Sequence, residues 1–179
     1  MPSALRVEGP LDVEALQRSL HEVVRRHEAL RTTFSAEDGL PRQVVHPYED
    51  FEVPLVDLTG LEPAHQEEAV RREALADARR PIDLVRGPLF RIRLMRLTST
   101  VHVLFTTIHH VVFDGWSAGV FMREVASLYE AFANGRPSPL RDLPIQYADF
   151  AQWQRRWLRG PELQRQLDLP PTRSDAGLT

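Results

Sequence analysis

The stretch Ile108-His109-His110-Val111-Val112-Phe113-Asp114-Gly115-Trp116-Ser117 decides how the rest of this chain is interpreted. Two adjacent histidines end an apolar, β-branched run, and an Asp-Gly pair begins four residues after the second histidine. Imidazole has an unperturbed pKa close to neutrality, so histidine is the usual proton carrier at pH 7. An acid at this spacing can orient an imidazole or hold the turn that presents it, and glycine lets the backbone turn tightly out of a strand. The stretch therefore predicts a site at a strand-to-helix junction.

Hydrophobic periodicity on both sides of this stretch predicts alternating strands and helices. An apolar run at 101–108 predicts a buried strand, antiparallel to a half-exposed strand at 89–97, and a helix follows at 117–133. The other predicted elements are a strand at 3–7, a helix at 12–29, a hairpin of 30–34 with 43–46, an extended edge segment at 51–58, an exposed helix at 62–79 and an aromatic-rich helix at 147–158. This pattern favours one α/β domain, built as α+β layers in which a mostly antiparallel or mixed sheet packs against helices. Residues 168–179 are expected to form a frayed polar tail.

The composition excludes several classes of function. The 179 residues carry a net charge of -3, all 22 basic residues are Arg, and there is no Cys. Lysine Schiff-base chemistry, disulfides, thiolate catalysis and cysteine zinc sites are therefore ruled out. The charge balance gives no electrostatic reason to expect nucleic acid or an anionic membrane as a partner. No apolar run has the length of a membrane span, and none follows a basic start, so a cytoplasmic protein is expected.

The two histidines are expected to have different surroundings. Adjacent strand residues point to opposite faces, so only one of His109 and His110 can face a given cleft. A metal ion would need a third ligand, and Asp114 is poorly placed for that because the two histidines diverge. We therefore expect no metal at this site.

Two further motifs have structural interpretations of their own. Residues 26–34 read as a basic helix end, where Arg and His complement the helix dipole, and this interpretation weighs about equally with a functional one. Residues 147–154 carry aromatic side chains at helical spacing, which favours a stripe that packs in the core.

Taken together, three motifs carry a family resemblance. They are Arg26-His27-Glu28-x-Leu30-Arg31-Thr32-x-Phe34, His109-His110-x-x-x-Asp114-Gly115-Trp116-Ser117 and Tyr147-x-Asp149-Phe150-Ala151-x-Trp153. In order and spacing they resemble consecutive core motifs of the condensation domains of nonribosomal peptide synthetases. Short segments between the motifs also match, and the similarity runs from residue 1 to about residue 167.

The resemblance implies a chloramphenicol-acetyltransferase-like fold with two similar lobes and a reaction tunnel between them. Residues 1–167 would form the N-terminal lobe alone, incomplete at both ends. The implied reaction joins a donor acyl or peptidyl thioester to the α-amine of an acceptor aminoacyl thioester. Both substrates are carried on phosphopantetheine arms of peptidyl carrier protein domains, so no cofactor is expected on this chain itself. The other implied partners are the second lobe and neighbouring synthetase domains.

The resemblance also implies roles for individual residues. His110 would be the catalytic histidine, acting as general base on the acceptor amine or as the group that orients it. His109 would pack inward. Asp114 would be a structural acid that pairs with an arginine of the first motif, with Arg31 the first choice and Arg26 the second.

The last residues of the motif have implied roles of their own. Gly115 would let the substrate approach the backbone, and Trp116 would support the site.

Some residues bear on the subclass of this family. Phe113 stands where relatives commonly have a small residue, so it either narrows the site or simply packs. His109 argues against the cyclising subclass, in which an Asp stands at that position. The Gly-Trp-Ser sequence at 115–117 argues against the epimerising subclass, so condensation is favoured.

Two classes of function remain open on these grounds. The first is an acyl-transfer enzyme fragment, expected to be inactive without the second lobe because one wall of the tunnel is missing. The second is a non-catalytic truncated remnant or a module that binds carrier proteins. A third, rival interpretation is an unrelated acyltransferase with a His-x-x-x-Asp motif that uses free coenzyme A.

Overall fold

The computed structural model describes residues 1–168 of the chain. The elements in chain order are β1 (Pro2–Glu8), α1 (Val13–Arg26), a short 3-10 helix (Glu28–Arg31), β2 (Thr32–Glu37), β3 (Leu40–Val45), β4 (Leu55–Asp57), α2 (Pro63–Arg79), β5 (Phe90–Arg96), β6 (Val101–Ile108), α3 (Gly115–Ala133), α4 (Tyr147–Trp157) and α5 (Pro161–Leu167). The chain divides into two compact units, the first from Met1 to Leu143 and the second from Pro144 onward. Apart from Asp168, the tail expected at 168–179 lies outside the described residues.

The first unit is built on a four-stranded mixed sheet in the order β1-β6-β5-β4. Strands β1 and β5 pair antiparallel to β6, and the short β4 pairs parallel to β5 at the edge. Strands β2 and β3 form a separate antiparallel hairpin. The predicted fold class, the antiparallel pair of central strands, the hairpin and the edge position of the segment around Pro54 are therefore confirmed.

Both faces of the sheet are covered, and the alternation along its two central strands explains how. Phe90, Ile92 and Leu94 of β5 lie in one apolar cluster with Leu104 and Ile108 of β6. The apolar sides of α1 and α3 complete this cluster. Met95, Val103 and Phe105 point to the other face, where they pack with Val70 and Ala74 of α2. Because side chains alternate in a strand, one pair of strands supplies both cores.

The helices α1 and α3 are also joined by polar contacts at one end. The backbone N–H of Asp12 donates to the Tyr129 hydroxyl at 3.0 Å, and the Arg18 guanidinium lies 4.5 Å above the centre of the Phe132 ring. The Asp12 side chain caps α1 by accepting from the Ala15 N–H at 2.9 Å. These contacts fix α1 against the helix that follows the histidine pair.

Helix α2 covers the opposite face through ion pairs rather than through a wide apolar stripe. Asp77 accepts from Arg91 at 2.8 Å and from the Thr107 hydroxyl, while Glu73 lies 2.5 Å from Arg93. Burial raises the pKa of Asp77, but the hydrogen bonds from Thr107 and Arg91 outweigh it and leave the pKa below its ordinary value. The arginine stems of β5 are half-buried as a result.

The predicted element boundaries differ from the observed ones mainly around α1. The helix expected at 12–29 ends at Arg26, because His27 has an extended backbone and a 3-10 turn follows it. Helix α5 was not predicted at all. None of the helices in residues 1–168 is long and apolar enough to cross a membrane.

The segment that leads into β5 is pressed against the hairpin, and Gly87 is the tightest point. Its φ is +62°, and a Cβ added there would lie 2.9 Å from the Thr33 methyl carbon. The Phe34 N–H also donates to the Leu84 carbonyl at 2.7 Å, so the segment has little freedom to move away.

We predict that Gly87→Ala lowers the free energy of unfolding by about 2–3 kcal/mol, the sum of backbone strain and a steric clash. Gly39→Ala is the matched control, because Gly39 has φ +75° but nothing within 4 Å of its added Cβ. Urea unfolding should show a clearly larger loss for Gly87→Ala, and Thr33→Ser in the same chain should recover part of it. Equal losses at the two glycines would show that the clash is not real.

Candidate functional site

The histidine pair lies in a turn directly after β6. Ile108, the last residue of the strand, is buried, and the His109 N–H continues the ladder by donating to the Leu89 carbonyl at 2.8 Å. The chain then turns, and the Val112 N–H donates to the His109 carbonyl at 3.1 Å. The position of the turn is therefore fixed by the most buried strand of the sheet.

The two histidine side chains differ in exposure. His109 is half-buried, and its Nδ1 accepts a hydrogen bond from the Val111 N–H at 3.1 Å. That acceptor role places the proton of the neutral ring on Nε2. His110 is exposed. Strand alternation does not extend to this pair, because the strand ends one residue before it. The imidazole of His109 therefore stabilises its own turn instead of packing fully inside.

Asp114 caps the helix that follows. Its Oδ1 accepts from the Ser117 N–H at 2.8 Å and from the Ser117 hydroxyl at 2.7 Å. The hydroxyl bond, followed by the backbone bond, holds the pKa of Asp114 below its usual range, so the carboxylate stays ionised at neutral pH. A negative charge at a helix N-terminus is favourable. Asp114 thus fixes the start of α3 four residues after His110.

The expected ion pair between Asp114 and an arginine of the first motif is absent from residues 1–168. Arg31 donates to the carbonyls of His46 and Arg25. Arg26 lies against Glu124 instead, with Nε 3.3 Å from Oε2. The prediction was wrong because Asp114 is exposed at the first turn of α3, whereas the Arg26 side chain is only 3% exposed. The site support assigned to Arg26 and Arg31 therefore does not pass through Asp114.

Glu124 is the carboxylate that joins the first motif to α3. Its Oε2 lies 3.3 Å from Arg26 Nε and 2.9 Å from His27 Nε2, and its side chain is 14% exposed. Glu124 is ten residues beyond Asp114, which is about 15 Å along a helix. The cluster of Arg26, His27 and Glu124, hereafter the Glu124 cluster, holds the middle of α3 against the end of α1.

A sequence signal for this contact exists, although it was missed. Glu124 lies three residues after Phe121 and four before Leu128, both buried, so it sits on the apolar stripe of α3. Arg26 lies three residues after the buried Val23 on the stripe of α1. Opposite charges that each occupy an apolar stripe indicate a buried pair, because an unpaired charge there is costly.

Three residues of the central motif have surroundings that sharpen their expected roles. Phe113 packs, since its ring lies 5.9 Å from that of Phe121 in an edge-to-face arrangement. Trp116 is 81% exposed, so it does not support the site by packing within residues 1–168. A Cβ added to Gly115 would meet nothing within 4 Å, so the first residue of α3 faces open space.

The third motif lies in the second unit, on α4. The helix is confirmed at Tyr147–Trp157, but none of its residues is buried, so the expected core stripe is not observed. The aromatic rings contact one another along the helix instead, with Trp153 and Trp157 stacked 5.4 Å apart. Asp149 and Gln146 form a reciprocal capping box at its start.

No group of three or more His, Asp or Glu side chains within residues 1–168 is placed to hold a metal ion. The groups at the turn that could take part in chemistry are the exposed imidazole of His110, the half-buried imidazole of His109 and the ionised carboxylate of Asp114, which caps α3.

Comparison with known proteins places this geometry in a family. The family model described as "Condensation domain" matches residues 1–168. The chain is 52% identical over 155 residues to chondramide synthase cmdD of Chondromyces crocatus, covering 86% of this chain and 4% of that protein. It is 45% identical over 168 residues to malpibaldin synthetase of Mortierella alpina, covering 93% of this chain and 3% of that protein. The chain thus spans only a few hundredths of the length of these relatives.

Solved structures agree with the fold. The X-domain from teicoplanin biosynthesis superimposes with a TM-score of 0.80 at 33% identity, covering 94% of this chain and 35% of that one. The starter condensation domain of rhizomide synthetase RzmA superimposes with a TM-score of 0.80 at 23% identity, covering 93% and 40% of the two chains. At that identity the second match supports the fold alone.

We predict that Glu124→Ala lowers the free energy of unfolding by about 3–5 kcal/mol, because it removes the half-buried carboxylate that contacts both Arg26 and His27. Glu130→Ala on the same helix is the matched control, since Glu130 is 74% exposed and pairs with an exposed arginine, Arg136. That control should cost at most about 1 kcal/mol. Chemical unfolding of the two variants checks the difference. A loss at Glu124 no larger than at Glu130 would refute the structural importance of the cluster.

Proposed function

The chain belongs to the condensation-domain family, and we propose that it supplies the histidine-bearing lobe of a domain that forms amide bonds in nonribosomal peptide synthesis. The observation that carries the proposal is the position of His110, exposed at the turn between the buried strand β6 and the capped helix α3. We assign residues 1–167 to this lobe.

The proposed step is the attack of an amine on a thioester. The amine nitrogen of the acceptor forms a bond to the carbonyl carbon of the donor, and the carbon–sulfur bond breaks. The thiolate leaves and takes up a proton, so that an amide and a free thiol result. His110 either accepts the proton that the attacking nitrogen loses or holds that nitrogen in line with the carbonyl.

The surroundings of His110 support a role in positioning. His109 is engaged with its own turn and Asp114 with its own helix, so neither is free to share the proton of His110. The Glu124 cluster fixes α3 against α1, and the cap at Asp114 fixes the turn against α3. A rigid turn is what an orienting imidazole requires, because small displacements of a reacting group are costly in rate.

We further propose that both substrates arrive on phosphopantetheine arms of peptidyl carrier proteins and that more protein surface covers His110. The exposed Trp116 and Val111 flank the turn, and large apolar side chains in water favour an interface over bulk solvent. The second lobe and neighbouring synthetase domains are the proposed sources of that surface.

We predict that His110→Ala lowers amide formation by at least about 100-fold in a condensation domain that contains this chain, the range lost with a general base or orienting group. The assay supplies two carrier proteins loaded with aminoacyl thioesters and measures dipeptidyl product by mass spectrometry. His65→Ala, which changes an exposed histidine of α2, is the matched control and should retain full activity.

The His109→Gln variant separates stability from catalysis. It is expected to lower the unfolding midpoint more than the rate, because it replaces the Nδ1 atom that accepts from the Val111 N–H with a longer, more flexible side chain. Equal catalytic losses at His109 and His110 with unchanged stability would contradict the assignment.

Full activity of His110→Ala would refute the proposed role, and turnover of free acyl-coenzyme A in place of carrier-bound substrates would favour the rival acyltransferase. If the chain binds carrier proteins but no amide product forms, the interpretation as a non-catalytic module that binds carrier proteins would be favoured.

A further inference from the structure

The turn between β6 and α3 has two exposed residues, followed by two that pack against the core. His110 and Val111 are exposed, whereas Val112 and Phe113 are half-buried. Both half-buried side chains pack against the apolar cluster that α1 and α3 complete. The turn therefore has an exposed tip at residues 110–111, which carries the imidazole of His110, and an apolar base at residues 112–113.

Hydrogen bonds hold the two ends of this turn. At one end the His109 N–H donates to the Leu89 carbonyl at 2.8 Å. At the other end the Asp114 carboxylate accepts from the Ser117 N–H at 2.8 Å. These bonds join the ends of the turn to the sheet and to the helix, and neither involves the tip.

The bonds within the turn do not tie the tip to α3. The Val111 N–H donates to the ring of His109 at 3.1 Å, and the Val112 N–H donates to the His109 carbonyl at 3.1 Å. The His110 side chain makes no hydrogen bond or ion pair within residues 1–168. The position of its imidazole therefore depends on how the backbone of the turn is held between its two ends.

Phe113 is the side chain that joins the base of the turn to α3. Its ring lies 5.9 Å from the ring of Phe121, and the two ring planes are 83° apart. Phe121 is 6% exposed and lies about 9 Å along α3 from Gly115. Aromatic rings prefer this edge-to-face arrangement, because the positive edge of one ring meets the negative face of the other. The contact therefore favours one orientation of the base relative to the helix.

We propose that Phe113 is a positioning residue for His110. This inference rests on the proposed function, in which the exposed imidazole meets the acceptor amine. Phe113 acts through the backbone: it holds the base of the turn on Phe121, and so limits the movement of the tip three residues away. Small displacements of an orienting group are costly in rate, so a looser turn lowers kcat and has little effect on substrate binding.

The test compares Phe113→Leu with Phe132→Leu in a condensation domain that contains this chain. Both rings are half-buried and pack against the same apolar cluster, but Phe132 lies at the opposite end of α3 from the turn. We expect Phe113→Leu to lower kcat about tenfold while the KM of each carrier-bound substrate changes less than about twofold. Phe132→Leu should leave both constants unchanged. Phe113→Tyr, which keeps the ring, should retain the kcat of the unaltered domain.

A second measurement needs no substrate. Relaxation of the ¹⁵N-labelled His110 backbone amide reports how rigidly the tip is held on the ps–ns timescale. We expect its order parameter to fall from about 0.85 toward about 0.6 in Phe113→Leu, and to stay unchanged in Phe132→Leu. An unchanged order parameter in Phe113→Leu would overturn the positioning role. Full activity of His110→Ala would instead refute the proposed function, so the two failures are distinguishable.

A double variant tests whether the effect passes through the ring contact. Phe121→Leu removes the same contact from its other side, so it should also lower kcat. The double variant Phe113→Leu/Phe121→Leu should then lose little more kcat than Phe113→Leu alone, because residues that act through one contact are not additive. Losses that multiply would show that the two rings act separately, and they would overturn the proposal.

The ratio of the kinetic constants separates this role from the alternative that Phe113 narrows the substrate site. A changed KM with an unchanged kcat in Phe113→Leu would support that alternative and contradict the positioning role. If Phe113→Leu does not fold, Phe113→Met provides the same comparison, since methionine also removes the ring and adapts its shape to fill apolar space.

Discussion

The pairing of β5 with β6 is the constraint on which the rest of the first unit depends. Its two strands supply both apolar clusters, one to α1 and α3 and the other to α2. A shift of one residue in this register would exchange the two faces and bury arginine side chains in the larger cluster. The same pairing fixes where β6 ends, and the histidine turn begins at that point. The position of His110 is therefore a property of the central ladder and not of a loop on its own.

Much of this architecture could be predicted from the sequence, because its strongest signals are periodic. Strand β6 has its predicted bounds, and α3 and α4 differ from prediction by two residues or fewer. The fold class and the family followed from motifs whose spacing is set by these elements. Helix α1 was predicted too long, since the backbone becomes extended at His27 and a 3-10 helix follows it. Periodicity reports which face of an element is apolar, but not where a terminal turn changes its hydrogen bonding.

The ion-pair and hydrogen-bond partners of the charged residues were not predicted from the sequence. Asp114 was expected to pair with an arginine, yet the Ser117 hydroxyl three residues away bonds to the same carboxylate and requires less ordering of the chain. The pattern Asp-x-x-Ser at a helix start is itself typical of a cap. Arg26 instead pairs with Glu124 in the middle of α3, and the two residues are close only because α1 and α3 pack together. A carboxylate that can bond to a neighbour in the sequence is satisfied locally. Long-range pairs such as Arg26 with Glu124 can be inferred only once the packing of the helices is known.

The order of strands in the sheet has a consequence for synthesis on the ribosome. Strand β1 pairs with β6, from Glu8 with Val101 to Pro2 with Thr107, so this pairing must wait until about a hundred further residues have been made. At about 5–20 residues per second, that wait lasts roughly 5–20 s, far longer than a helix or hairpin needs to form. The nascent chain must hold β1 and the apolar side of α1 without their sheet for this time. The β2–β3 hairpin, by contrast, can complete its own pairing early, because its two strands are neighbours in the sequence. It can therefore form while β5 and β6 are still being synthesised.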